Sequence, residues 1–296
     1  MATGPRRSGI ATHHNPRAQP PLDTRHTPRA QSPTDTPPTD PPPVPRADLA
    51  VAAAAVILAA VALVASSLQP GFAPLITLTL TPPGIAPTEN DSGMLIVVTP
   101  TPVVLPGIRM GAAIATLLLF VAAMRLLLLV PAVRRRHATD AAADRHTWRW
   151  IEYSQLAGVG TFLVAQLNGI TEVTSLVPIY ALGAAGALFL IVHDHRAATG
   201  RFGGPAFALG SAVAIVPWGV IAFAQITTLI AGVEIAASVR VVTLLALVAS
   251  ASVWVVTGWR ARRDPERTDG CRTDALLGAV LPLAPAGLVL STLWVG

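Results

Sequence analysis

Two ionisable side chains lie inside runs that are otherwise apolar enough for a bilayer core. Arg125 sits in Phe120-Val-Ala-Ala-Met-Arg-Leu126, and Glu152 in Trp148-Arg-Trp-Ile-Glu-Tyr-Ser154. A charge near the centre of a membrane helix costs about 2.5–3.5 kcal/mol on insertion scales, so each needs a partner. At the helical rise of 1.5 Å per residue, Glu152 is about 6 Å in from Trp148 and Arg125 about 9 Å in from Pro131. Similar depths on neighbouring antiparallel helices predict an interhelical ion pair. Two other arrangements stay open. Arg125 can extend to the interface along its own stem, and Glu152 can pair with Arg149, three residues earlier on its own helix.

The remaining chemistry is sparse. All 21 basic residues are arginines, and the 296 residues contain no lysine. No side chain can therefore form a Schiff base with an aldehyde, which requires a primary amine. The single cysteine, Cys271, lies in a polar, Arg-rich stretch; it excludes an intrachain disulfide and a thiolate metal cluster. His13-His14 reads as solvated, and His193-Asp194-His195 as a solvated helix end rather than a metal site. There is no nucleophile–base–acid set, no His/Glu zinc motif and no Gly-rich phosphate loop. Neither an enzyme nor a nucleic-acid-binding protein is expected.

The elements that must position Arg125 and Glu152 follow from hydropathy. The chain is 52% hydrophobic and only 12% charged, with a mean hydropathy of +0.56, against about 25% charged in an ordinary soluble domain. Apolar runs of 18 or more residues predict membrane helices. Residues 1–46, rich in Pro, Thr and Arg, read as a disordered tail. Residues 47–296 read as an all-α membrane domain of seven spans, near 47–68, 108–130, 148–170, 175–193, 205–230, 236–259 and 274–294. Between the first two, about 72–106, the alternation in Pro74-Leu-Ile-Thr-Leu-Thr-Leu-Thr81 and the β-rich stretch 94–105 predict a β-hairpin with prolines on an edge strand.

All arginines except Arg109, Arg125 and Arg240 fall on the face of the tail. By the positive-inside rule that face is cytoplasmic, so the hairpin and the C-terminus lie outside. Gln155, Gln166 and Asn168 give the third span a polar stripe; Gln225 and Thr228, then Thr243, Ser250 and Ser252, do so in the fifth and sixth. Such groups act mostly as interhelical glue, at about 0.6 kcal/mol each. Gly183 and Gly186 permit close packing in the fourth span. Pro217 interrupts the fifth, and Pro282 and Pro285 the seventh.

In the third span the run Arg149-Trp150-Ile151-Glu152-Tyr153-Ser154, continuing to Leu167-Asn168-Gly169-Ile170, resembles the signature of heliorhodopsins, the inverted-topology microbial rhodopsins. Ile215-Val216-Pro217-Trp218 resembles their fifth-helix segment. The resemblance implies a seven-helix rhodopsin-like bundle with an extracellular hairpin. It further implies a homodimer in the cell membrane and a pocket to which Trp150, Tyr153, Pro217 and Trp218 would contribute. In that family the third-helix glutamate is counterion to a protonated retinal Schiff base, and Glu152 matches it. The family's lysine position falls near Ala286 in Leu281-Pro-Leu-Ala-Pro-Ala-Gly287. A second-helix histidine of the family corresponds to Arg125.

These departures imply that the fixed charge of Arg125 replaces the lost Schiff-base cation. The reading that results is a sensory or regulatory membrane protein without covalent retinal or bound metal. A noncovalent retinoid or other apolar ligand and a cytoplasmic partner fit that reading. The alternative is a small-solute or ion transporter or channel subunit that uses the polar stripes. An intramembrane enzyme would need a further ionisable group converging on Glu152 besides an arginine.

Overall fold

A computed structural model describes residues 46–68, 74–80, 88–89, 95–96, 101–107, 109–143 and 145–262. The predicted tail, the predicted seventh span at 274–294, Cys271 and Ala286 lie outside the described residues. The described chain is mostly helical. In order it forms α1 (Arg46–Leu68), β1 (Ile76–Leu80), β2 (Thr88–Glu89), β3 (Leu95–Ile96), β4 (Thr101–Leu105) and α2 (Met110–Leu126). A 3-10 turn (Leu127–Leu129) leads to α3 (Pro131–Ala142), α4 (Thr147–Leu167), α5 (Val173–Ala198), α6 (Gly204–Ile230) and α7 (Ala237–Arg262).

Among the described residues, five helices are long and apolar enough to cross a membrane: α1, α2 with its 3-10 turn, α5, α6 and α7. The 21 residues of α4 reach about 31 Å, also a spanning length. It is more polar because it is central: most of it is buried, including Trp150, Glu152, Tyr153 and Gln166.

Seven described helices are therefore not the seven predicted spans. Residues 131–142 were expected to be a charged loop and instead form α3, a polar helix with no buried residue. Its start is chemically specified: Val130 is extended, and Pro131 occupies the first turn, where its missing N–H costs nothing. Alanine and arginine, good helix formers, fill much of the rest.

The core is apolar and tightly packed. α4 packs chiefly on α5, α5 on α6, and α1 on α2. The small residues of α5 permit this approach. A Cβ on Gly183 would lie 2.7 Å from Thr161 Oγ1, and one on Gly186 2.7 Å from Ala214 Cβ.

α4 ends at Gly169, whose φ of 80° only glycine adopts cheaply. Gly169 N–H donates to Gln166 O, and Ile170 N–H to Ala165 O, closing the helix end. That turn presents Thr171 and Glu172 to the hairpin. β1 pairs antiparallel with β4, Ile76 opposite Leu105 and Leu80 opposite Thr101, and β2 with β3. Pro102, opposite Thr79, lies in a strand that pairs on one side only, where a missing donor is tolerated.

The other edge of β1 docks on the start of α5. Thr77 N–H donates to Thr171 O at 2.9 Å, Thr79 N–H to Glu172 Oε1 at 2.6 Å, and Thr77 Oγ1 to Glu172 Oε2 at 2.9 Å. The Thr79 amide, then the Thr77 hydroxyl, hold the Glu172 carboxyl below its ordinary range. A carboxylate with a depressed pKa contributes above its unfolded value and loses that contribution as pH falls through the folded one. Amide exchange at Thr77 and Thr79 should therefore stay slow at neutral pH. Relative to the intrinsic exchange rate at each pH, it should quicken only below about pH 4, the ordinary glutamate range, and E172A should quicken it at neutral pH.

Candidate functional site

The polar cluster forms where α1, α2 and α4 meet. α2 carries Arg125 in its last turn, α4 carries Glu152 in its second, and α1 carries Asp48 in its first. Arg125 Nη2 lies 2.7 Å from Glu152 Oε2, and Arg125 Nε donates to Glu152 Oε1 at 3.2 Å. The third nitrogen, Nη1, donates to Asp48 Oδ1 at 2.9 Å. One guanidinium thus bridges two carboxylates on two other helices. Glu152 is only 1% exposed, while Asp48 and Arg125 retain 17% and 13%. The planar fork of arginine suits this double role, because its donors diverge in fixed directions.

Asp48 was not singled out in the sequence because it stands at the edge of the first span, where a charge is unremarkable. Its meeting with Arg125 places a second carboxylate by Glu152. One guanidinium shared by two carboxylates offsets one of their two negative charges and links them. The arginine cannot deprotonate, so it cannot relay a proton between them.

α3 sits beside this cluster. His137 interacts electrostatically with Asp48, Arg125, Asp140 and Arg149. Burial holds its imidazole below the usual histidine range; Asp48 pulls upward, Arg125 downward, and Asp140 and Arg149 follow with the same opposed signs. The Arg149 guanidinium lies 5.2 Å from the centre of the Trp150 ring.

Among the described residues two of the four pocket candidates share a small space. Tyr153 and Trp218 line a small space between α4, α5, α6 and α7, with Thr161, Gly183, Ser250 and Trp254 around it. Its volume is about 10 Å³, the room of about one water molecule. Trp150 meets Tyr153 edge-on at 6.2 Å, and its indole N–H donates to Asp194 Oδ2 at 2.6 Å. Pro217 is buried in α6 away from the lining.

That Asp194 contact corrects the reading of His193-Asp194-His195 as a solvated helix end. α5 runs on to Ala198. The first two residues of the triplet thus face neighbours. His193 is buried, with Nδ1 3.1 Å from Gly203 O, and only His195 is exposed. Among the described residues no group of three or more His, Cys, Asp or Glu is placed to hold a metal.

Three residues of the polar stripes bond to each other. Asn168 Nδ2 donates to Thr243 Oγ1 at 2.9 Å, and Gln225 Nε2 to Asn168 Oδ1 at 2.7 Å, tying α4, α7 and α6. Tyr180 O–H donates to Gln155 Oε1 at 3.0 Å. Thr228 and Ser252 bond within their own helices. Gln166 is buried with both amide atoms unpartnered.

Comparison with known proteins fits this arrangement to one family. A family model described as Heliorhodopsin matches residues 48–262. The chain belongs to the heliorhodopsin family. No curated protein matches it. In this heliorhodopsin the matched region begins at Asp48 and ends with α7, so it contains the whole Asp48–Arg125–Glu152 cluster.

Removing one partner of a buried pair leaves an uncompensated charge, which costs about 3–5 kcal/mol. R125L should lower thermal stability by that order, and E152Q in the R125L background should restore part of it. The non-additivity, measured as a double-mutant cycle on thermal midpoints, should exceed about 0.5 kcal/mol. D48N should cost less than R125L, because Asp48 is the more exposed carboxylate.

Proposed function

We propose that this heliorhodopsin works as a sensory or regulatory membrane protein that carries no covalent retinal. The observation that carries the reading is the engagement of Glu152 by Arg125 in a chain without lysine. A retinal Schiff base needs a primary amine to form and a free carboxylate to stabilise its proton. Here the amine is lacking, and the glutamate at the counterion position already holds a permanent cation.

The reading is supported by two further features. Between Glu152 and Gln166 the same face of α4 presents Leu156, Val159 and Leu163, an apolar stretch within about 21 Å of helix. Asn168, Gln225 and Thr243 bond to one another. Both features suit a packed signalling bundle more than a solute path or a catalytic cleft. We infer a non-enzymatic role, with the tail face in the cytoplasm meeting a protein partner, the hairpin outside, and two copies in the membrane as in the family.

Reconstitution with all-trans retinal followed by absorption spectroscopy and borohydride reduction tests the proposal. The expected result is no red-shifted band and no retinyl group fixed to the chain. A band that borohydride makes covalent would overturn it.

A further inference from the structure

Beside the cluster α3 carries a strongly charged surface. Arg134, Arg135 and Arg136 occupy three successive positions on α3; Arg135 and Arg136 are exposed, while Arg134 is half-buried with its Nε enclosed. The one acid on that helix, Asp140, lies 3.1 Å from Arg145 Nη2.

The segment before them is apolar and uncovered. Leu126, Leu127, Leu129 and Val130 are each 43–46% exposed, whereas Leu128 is buried at 2%. The 20 residues Met110–Leu129 form the apolar span. Twenty residues at 1.5 Å each cover about 30 Å, the thickness of the hydrocarbon core. Pro131 therefore begins in the headgroup layer. Trp148 agrees with this level. Its indole N–H donates to Met124 O at 3.3 Å, and tryptophan favours the membrane interface.

We propose that α3, with the uncovered 126–130 segment beside it, is a docking surface for the headgroups of anionic phospholipids. The apolar side chains lie against acyl chains while the guanidiniums meet the phosphates at the depth where these occur. Arginine donors match phosphate oxygens in pairs. Each basic residue near an anionic surface contributes independently of sequence detail, so three together give a marked preference. The surface lies next to the ion cluster through His137, so lipid bound on α3 sits beside Arg125 and Asp48.

Native mass spectrometry of the full chain, taken from micelles holding equal phosphatidylglycerol and phosphatidylcholine, tests this. Wild type should retain phosphatidylglycerol preferentially, and added salt should weaken that preference. R134Q/R135Q/R136Q should reduce the preference at least about tenfold. R134K/R135K/R136K keeps the charge and should keep most of the preference. Equal retention by the glutamine variant and wild type overturns the proposal, as does a lysine variant that behaves like the glutamine one. Displacement of the lipid by equimolar inorganic phosphate also overturns it, since the site would then serve a soluble anion.

Discussion

An arginine inside a bilayer cannot shed its charge and cannot leave it unpaired. Arg125 meets both demands by gripping Glu152 and Asp48 at once. Three helices are pinned to one guanidinium, and their depths follow from it. α4 is the most affected: its buried glutamate would be intolerable without that partner, yet the helix must be central because its other polar groups join α5, α6 and α7. The dense α4–α5–α6 contact through Gly183 and Gly186 then closes the bundle around Tyr153 and Trp218.

Function follows from the same constraint. A counterion is useful to a chromophore only while its charge is available. On the proposed reading a fixed cation has taken that carboxylate, and the space lined by Tyr153 and Trp218 is about the size of a water molecule. The helical bundle of the family persists among the described residues. The bundle carries its hairpin against the start of α5 and its basic helix α3 beside the ion cluster.

The long apolar runs were legible because membrane helices are written in composition. Arg125 and Glu152 were legible because a charge within such a run is conspicuous and depth is a matter of counting. Asp48 was not, since an acid at a helix start is ordinary and only the fold brings it to Arg125. Glu172 was missed for a related reason: its partners Thr77 and Thr79 lie about 93–95 residues away. α3 was taken for a loop because hydropathy, the guide that finds spans, is silent about polar helices. The end of α5 was placed too early where histidine, aspartate and arginine replaced apolar residues, although the backbone continued.

The account depends on Glu152 being ionised by its contact with Arg125. Isotope-edited infrared spectroscopy reads this directly, with E152Q assigning the band. At neutral pH the account predicts that wild type shows the carboxylate stretch of Glu152 and that R125L shows the carbonyl stretch of the protonated acid instead. A protonated Glu152 in wild type, or a carboxylate that R125L leaves unchanged, would contradict it.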